Sequence, residues 1–360
     1  MFILGAILLL SVLIIVHEFG HYLFAVATGM RVDRFSVIGI GPPVLHLFNY
    51  KGTEFVISAI PFGAYVHIVG METPDEEELK EEARARAACL AEGKEDETKY
   101  LFRNRPLYAR VLTILGGPMA NYLAAMVIFF GVYTVHGAAD RTKVVLGNFA
   151  DDDTPAEKSG LKPGDQFLTI GGESVQGSGA NGLLVEAIQS NAGKTVAFTV
   201  LRESAEETVD VAVPEKGAIG ISLSHPRVSV GAYRSATTAI KAPFIISRDQ
   251  LSGLANLVRG NSKAEVGGPV AIVHQISKSA ESGWVSFFLF GGMISTVLGM
   301  FNLLPIPALD GGRLVFLGYE MIARKPANRK IEEMIHGIGM LALLGLIALV
   351  TIRDIGKLVD

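Results

Sequence analysis

The sequence predicts a polytopic α-helical membrane protein: about four transmembrane helices, a β-hairpin or small sheet beside the membrane, and one small inserted α+β domain. Three observations predict it. The 360 residues are 49% hydrophobic and 19% charged, with mean hydropathy +0.38, and the apolar residues gather in blocks. Two stretches rich in β-forming residues follow the first block. A segment punctuated by Gly and Pro, residues 143–223, separates the second block from the third.

The blocks come first. Met1 to Val16 carries no charge, and after a short polar motif the apolar run resumes at Tyr22 to Met30, so residues 1–30 read as transmembrane helix 1. Val111–Val135 lies inside a second span at 106–136, Gly283–Leu309 forms a third, and Gly337–Ile352 lies inside a fourth at 334–353. Each is, or extends to, the roughly 20 residues that cross a hydrocarbon core. The first block lacks a basic n-region and a small-residue cleavage site, so it reads as a retained helix rather than a signal peptide.

Charge orients these helices. Arg31, Arg34, Arg103, Arg105 and Arg110 flank the loop between the first two, and Arg313, Arg324, Lys325, Arg329 and Lys330 crowd the loop between the last two. By the positive-inside rule both loops face the cytoplasm, and residues from about 137 to 282 face the other way. Arg353 and Lys357 in the tail run mildly against this. A net charge of -4 without a basic stripe excludes nucleic acid as a partner. Cys89 is the only cysteine, which excludes intrachain disulfides and a cysteine-rich metal site.

Between the spans the pattern changes. Residues 31–71 read as a membrane-associated β-region on the cytoplasmic side: Thr53–Ser58 and Ala64–Val69 are strand-like, and Gly39, Gly41, Pro42 and Pro43 form a turn before them. Residues 72–105 are a charged, probable-helix linker by composition, with Thr73-Pro74 as its start and Asp75-Glu76-Glu77-Glu78 in its first turn. In 143–223, strand-like runs at Val144–Leu146, Gln166–Ile170, Val196–Leu201 and Thr208–Val213 surround a helical pattern of Leu183, Leu184, Ala187 and Ile188. Residues 224–282 read as amphipathic helices at the membrane surface, interrupted at Pro243, with Trp284 at the start of the third span.

The first block ends in His17-Glu18-Phe19-Gly20-His21. Histidines four apart share a helix face, so both imidazoles can hold one zinc ion while Glu18 faces a metal-activated water as general base. Ionisable residues inside a span are expensive and usually functional. A catalytic zinc needs a third protein ligand and an open position. The third span ends in Asn302-Leu303-Leu304-Pro305-Ile306-Pro307-Ala308-Leu309-Asp310-Gly311-Gly312, where two prolines break the helix. Asp310 at membrane depth would be costly unless it completed that site. A carboxylate in a cytoplasmic turn is the alternative that the residues alone leave open.

Here the chain resembles the site-2 protease family, in particular the bacterial RseP-type intramembrane zinc metalloproteases. The resemblance rests on His17–His21, on the NxxPxPxLDG motif from Asn302 to Gly311, on Gly117-Pro118-Met119-Ala120-Asn121, on Gly39–Pro42 and Ile60–Val66, and on Gly268–Ile272. It implies that Asp310 is the third ligand beside His17 and His21, with one Zn²⁺ per chain. It also implies that the Thr53–Val69 hairpin receives substrate as an added strand, with Phe55, Ile57 and Tyr65 as candidate contacts. Asn302 reads equally as a contact to the exposed substrate backbone or a polar helix–helix contact, and Asn121 as helix packing ahead of a substrate-side hydrogen bond. This sequence reads Gly63-Ala64-Tyr65-Val66-His67 where the family usually has GGYVK.

Ala156–Asp165 followed by Ile170-Gly171-Gly172 resembles the AxxxGLxxGDxI signature of bacterial PDZ domains, here in a single copy. The implied activity is endopeptidase cleavage of transmembrane segments of single-pass proteins, such as anti-sigma factors or remnant signal peptides, in a bacterial inner membrane. The implied partners are that substrate, a peptide or protein ligand of the PDZ domain, and the lipid bilayer. Two other classes were weighed. An inactive scaffold presenting a PDZ domain conflicts with the intact His, Glu and Asp set. A zinc transporter would show internal repeats, and none is visible.

Overall fold

The computed structural model describes residues 2–61, 63–72, 76–93, 95–151, 153–260 and 267–359. Helix α1 spans Phe2–Ala27. Its Leu-, Ile- and Ala-rich run has no proline, so nothing interrupts it before Gly29. That glycine adopts φ +72°, and the Met30 N–H reaches back to the Ala25 carbonyl at 2.8 Å, closing the helix with a left-handed cap.

Four strands follow: β1 (Val32–Ile38), β2 (Ile40–Tyr50), β3 (Thr53–Ile60) and β4 (Tyr65–Ile68). Their order in the sheet is β2-β3-β1-β4. A tight Lys51-Gly52 turn with both φ positive joins β2 to β3. The expected pairing of the stretches near Thr53 and Val69 is corrected here. β1 lies between them, parallel to β3 and antiparallel to β4. Sequence proximity suggested a hairpin, whereas β1 was not recognised as a strand at all. Gly39 alone turns β1 into β2, at φ +91°. Pro42 and Pro43 sit inside β2 rather than in a turn. They are tolerated because an edge strand has N–H positions that need no partner. Phe35 and Phe55 from the sheet pack edge-on against Tyr22 of α1, and this aromatic cluster fixes the sheet beside the helix.

Helix α2 covers Glu76–Ala91; the expected start at Thr73-Pro74 lies outside the described residues. Glu82 of α2 accepts from Arg103 Nε at 2.9 Å, tying the charged segment down. Helix α3, Leu107–His136, runs through Pro118. Gly20 of α1 and Gly116 of α3 face each other so closely that a Cβ on either would clash with the other's backbone. Small residues permit this approach between membrane helices.

The chain divides into two compact units, Val132–Ala236 and the remainder. The smaller unit contains β5 (Ala138–Ala139), β6 (Val144–Phe149), α4 (Pro155–Lys158), β7 (Gln166–Ile170), β8 (Glu173–Ser174), α5 (Ala180–Ser190), β9 (Thr195–Arg202), β10 (Ala205–Ala212), β11 (Ile221–Ser224) and β12 (Arg227–Val228). The main sheet runs β10-β9-β7-β6-β11, with β8 on β7. Alternate residues Val196, Phe198 and Val200 of β9 are buried with Phe167, Leu146 and, from α5, Leu184. Full burial of each large side chain contributes roughly 1.5–3 kcal/mol, and this period-2 and helical patterning was what the sequence displayed.

The remaining helices return to the larger unit. Helix α6, Ala232–Val258, continues through Pro243, so the expected interruption does not occur. Loss of one backbone hydrogen bond is carried by the turns on either side. Tyr122 of α3 bonds Ser247 of α6 at 2.5 Å. Helix α7 (Pro269–Glu281) precedes α8 (Trp284–Leu303), so Trp284 does open the third long apolar helix. That helix stops at Leu303, short of the predicted Leu309. A coil then leads to α9 (Asp310–Ala323), which was not foreseen, and α10 (Arg329–Val359) closes the chain. Asp354 of α10 accepts the Gly268 and Ala271 N–H groups at 2.9 and 3.0 Å, capping α7 from a remote helix. Among the described residues four helices, α1, α3, α8 and α10, contain segments long and apolar enough to cross a membrane.

Candidate metal and catalytic site

One helical turn separates His17 from His21 on α1, and their rings meet edge-on with centroids 4.9 Å apart. Both are buried. The two Nε2 atoms lie 3.2 Å from each other. The carboxylate of Asp310, the first residue of α9, completes the cluster: Oδ2 is 3.1 Å from His17 Nε2 and 3.3 Å from His21 Nε2. These ligand atoms lie within 4.8 Å of one another, close enough to share one metal ion. The two motifs that the sequence holds nearly 300 positions apart are therefore one constellation.

The far side of each imidazole is also fixed. His21 Nδ1 donates to the Thr113 carbonyl of α3 at 2.8 Å. A neutral His21 then has only a lone pair at Nε2, aimed at the lone pairs of Asp310 Oδ2. That oxygen is buried and has no hydrogen-bond partner among the described residues. Lone pairs converging at about 3 Å repel unless a cation lies among them. His17 Nδ1 lies 3.0 Å from the Asn121 amide nitrogen, while Asn121 Oδ1 is buried without a partner. When His17 Nε2 serves as a ligand its proton sits on Nδ1. Half a turn about the Asn121 Cβ–Cγ bond then brings Oδ1 round to accept it.

Glycines make the room. A Cβ on Gly117 would clash with both imidazoles, lying 2.8 Å from His17 Nε2. Ahead of Asp310, Ala308 adopts φ +73°, and Gly311 and Gly312 leave no space for a Cβ against the carbonyls of Leu304 and Ile306. The Leu-Asp-Gly-Gly sequence is thus a folding requirement as well as a ligand.

Glu18 opens onto a cleft of about 300 Å³ that the metal-site residues share with Val66, His67, Asn302 and Arg313. Its Oε2 accepts the Val66 N–H of β4 at 3.1 Å. His67, the departure noted in the sequence, holds Asp33 at 2.5 Å.

The expected substrate contacts separate into two groups. Asn302 lines the cleft, with its amide also donating to the Leu298 carbonyl at 3.0 Å. Tyr65 lies half-buried on β4, an edge strand. Phe55 and Ile57, by contrast, belong to β3, which is paired on both sides by β2 and β1. Phe55 is buried in the aromatic cluster. An added strand has no edge to join there. Asn121 is fully buried against His17 and does not line the cleft. Its four-residue spacing from Gly117 on one helix face was the signal for that placement. Thr113 acts through its backbone carbonyl and Val66 through its backbone N–H, so side-chain identity advertised neither.

Known proteins agree with this construction. The profile of peptidase family M50 matches residues 5–346. A Rickettsia conorii protein named "Putative zinc metalloprotease" is 31% identical over 99% of both chains. Proteins with the same designation from Mesorhizobium japonicum and a Nostoc species are 31% identical over 96% of both chains, and 32% identical over 99% of this chain and 97% of the relative. The chain belongs to peptidase family M50, the site-2 protease family.

Proposed function

We propose that this protein is a zinc-dependent intramembrane endopeptidase that cleaves transmembrane segments of single-pass membrane proteins. His17, His21 and Asp310 would hold the zinc, and Glu18 would act as general base. The observation that carries this reading is the convergence of two imidazole Nε2 atoms and a carboxylate oxygen on one point beside Glu18. Two histidines and a carboxylate suit tetrahedral zinc with one position open. The designation of the relatives supports the same ion.

When bound, zinc supplies Lewis acidity, making water a stronger acid and a peptide carbonyl a better electrophile. The chain supplies the rest. Glu18 Oε2, steered by the Val66 N–H, takes the proton of the attacking water and returns one to the leaving amine. A transmembrane helix hides its peptide groups in its own hydrogen bonds, so substrate must unwind to react. The outer edge of β4, next to Glu18, pairs with no other strand among the described residues and can take an extended segment. Asn302 and Tyr65 flank that path.

The smaller unit is read as a PDZ domain, from the Ala156–Asp165 turn and a sheet with α5 packed on it. It would bind a peptide or protein segment and govern access. The Lys and Arg distribution supports a bacterial inner-membrane location, with the zinc site near the cytoplasmic face and the smaller unit outside. Anti-sigma factors and remnant signal peptides are the substrate classes the family resemblance favours.

The test compares wild type with Glu18→Gln, both purified in detergent with zinc, on a synthetic transmembrane peptide. Wild type should cleave, and the variant should retain zinc while cleaving at least about 100-fold more slowly. Equal cleavage by the two, or zinc-loaded wild type that cleaves nothing, rejects the reading.

A further inference from the structure

The loop that carries Asp310 is held from a direction the active-site motifs do not include. Ala308, two residues before the carboxylate, sits at φ +73°, a conformation an L-residue rarely adopts without support. Its N–H donates to His336 Nδ1 of α10 at 3.0 Å. Because Nδ1 accepts, the neutral ring of His336 carries its own proton on Nε2. Phe316 of α9 lies against the same ring, with centroids 5.4 Å apart, and fixes its plane. One turn further along α10, Gly339 passes so close to Pro307 that a Cβ there would clash. Pro305 and Pro307 cannot donate backbone hydrogen bonds, the Ile306 and Leu309 N–H groups bond carbonyls of the loop itself, and the Ala308 N–H is the one that reaches out to another helix.

We propose that His336 is a positioning residue for the third ligand. Resting on the zinc reading above, the inference is that the Ala308–His336 bond holds the loop in its strained shape and thereby sets where Asp310 Oδ2 meets the two imidazoles. The last helix then contributes to metal retention without supplying a ligand. Removing the acceptor leaves a part-buried N–H without its partner and frees Ala308 to relax. The carboxylate would then sample positions outside ligand range, and zinc would leave faster. Groups that orient metal ligands typically change metal affinity 10- to 100-fold, and His336 acts through a loop, so the lower end applies.

The experiment uses full-length, zinc-loaded protein in detergent and measures zinc release to excess chelator with a chromophoric indicator. His336→Phe keeps a ring but removes the acceptor. His336→Asn keeps an acceptor near the Nδ1 position. The Phe variant should release zinc about tenfold faster than wild type, with the zinc-free protein still folded and its thermal midpoint only modestly lowered, and Asn should return the rate to within about twofold. Release from the Phe variant at the wild-type rate overturns the inference, as does Asn behaving like Phe. If the Phe variant does not fold, His336→Gln takes its place, because its amide reaches the Nε2 position instead and should fail in the same way. Asp310→Ala separates the two levels of argument. If it leaves zinc binding unchanged, the zinc reading itself fails; if it abolishes binding while His336→Phe changes nothing, only the role of His336 fails.

Discussion

Asp165 in the smaller unit and Asp310 in the larger are carboxylates satisfied in opposite ways. Asp165 in the smaller unit is 1% exposed. Arg202 grips both its oxygens, Nε to Oδ1 at 2.8 Å and a terminal nitrogen to Oδ2 at 2.6 Å, and the Lys162 N–H adds a third bond at 2.8 Å. That group is complete with protein alone. Asp310 Oδ2 faces two imidazoles whose other nitrogens are already committed, and no hydrogen bond from the described residues reaches it. Arginine is always protonated, so Asp165 lives beside a permanent cation. Imidazoles are not permanent cations, and one metal ion fits the point where both Nε2 atoms meet the Asp310 oxygen. Burial by itself therefore does not mark a functional carboxylate; the kind of partner does.

The largest expected effect tests that difference directly. Asp310→Ala should reduce bound zinc to background and abolish peptide cleavage, while the apo protein remains folded because no protein partner loses a hydrogen bond. Metal analysis and a melting curve decide it, and a variant that unfolds would show that Asp310 is structural after all. Asp165→Ala should do the reverse. It removes two bonds from Arg202, which keeps Glu207 and the Gly160 carbonyl, and costs the smaller unit about 2 kcal/mol, read as faster hydrogen exchange in β7 and β9, with zinc content unchanged. Burial alone would raise the Asp165 carboxyl, but the Arg202 guanidinium and the Lys162 N–H outweigh it and hold the group below its ordinary 3.8. A depressed folded value means that this stabilisation is intact above about pH 3.8 and is lost as pH falls through the lower folded value. Exchange in that unit should thus be insensitive to this group from neutral pH down to about 4, then rise. Asp165→Asn should remove that acid-dependent rise.

The same contrast explains what the sequence made legible. His17 and His21 were readable because helix periodicity converts a spacing of four into a shared face. The apolar blocks were readable because span length is set by bilayer thickness. The strands and α5 of the smaller unit followed from alternation and helical spacing around their core. Asp310 needed a resemblance to join it to His17, since the coil between α8 and α9 has no periodicity. β1 escaped because Val32-Asp33-Arg34-Phe35 mixes charge with apolar residues, and its place between β3 and β4 is set by non-local pairing. Phe55 looked like an exposed strand residue but is buried against Tyr22, a contact decided by how the sheet leans on α1. His336 carried no ligand spacing, because its partner is a backbone N–H that any residue but proline could provide.

The smallest expected effect concerns Asn121, which reads from sequence as helix packing or a substrate-side hydrogen bond and which the fold places behind His17. A substrate contact and a ligand-orienting contact predict different readouts. If Asn121 steadies the imidazole, Asn121→Ala should weaken zinc binding about tenfold, whether or not substrate is present. Asn121→Asp should preserve binding, since its carboxylate can accept the Nδ1–H and make His17 a stronger donor to the metal. If Asn121 served substrate instead, Ala would raise KM and leave the zinc affinity of the free enzyme untouched. Chelator competition on the substrate-free protein distinguishes the two, and an unchanged zinc affinity in the Ala variant would remove Asn121 from the metal site. The Ser295 hydroxyl donates to the Asn121 backbone carbonyl at 2.8 Å, and neither substitution alters that bond. α3 and α8 should therefore stay in register in both variants, leaving the imidazole contact as the only difference under test.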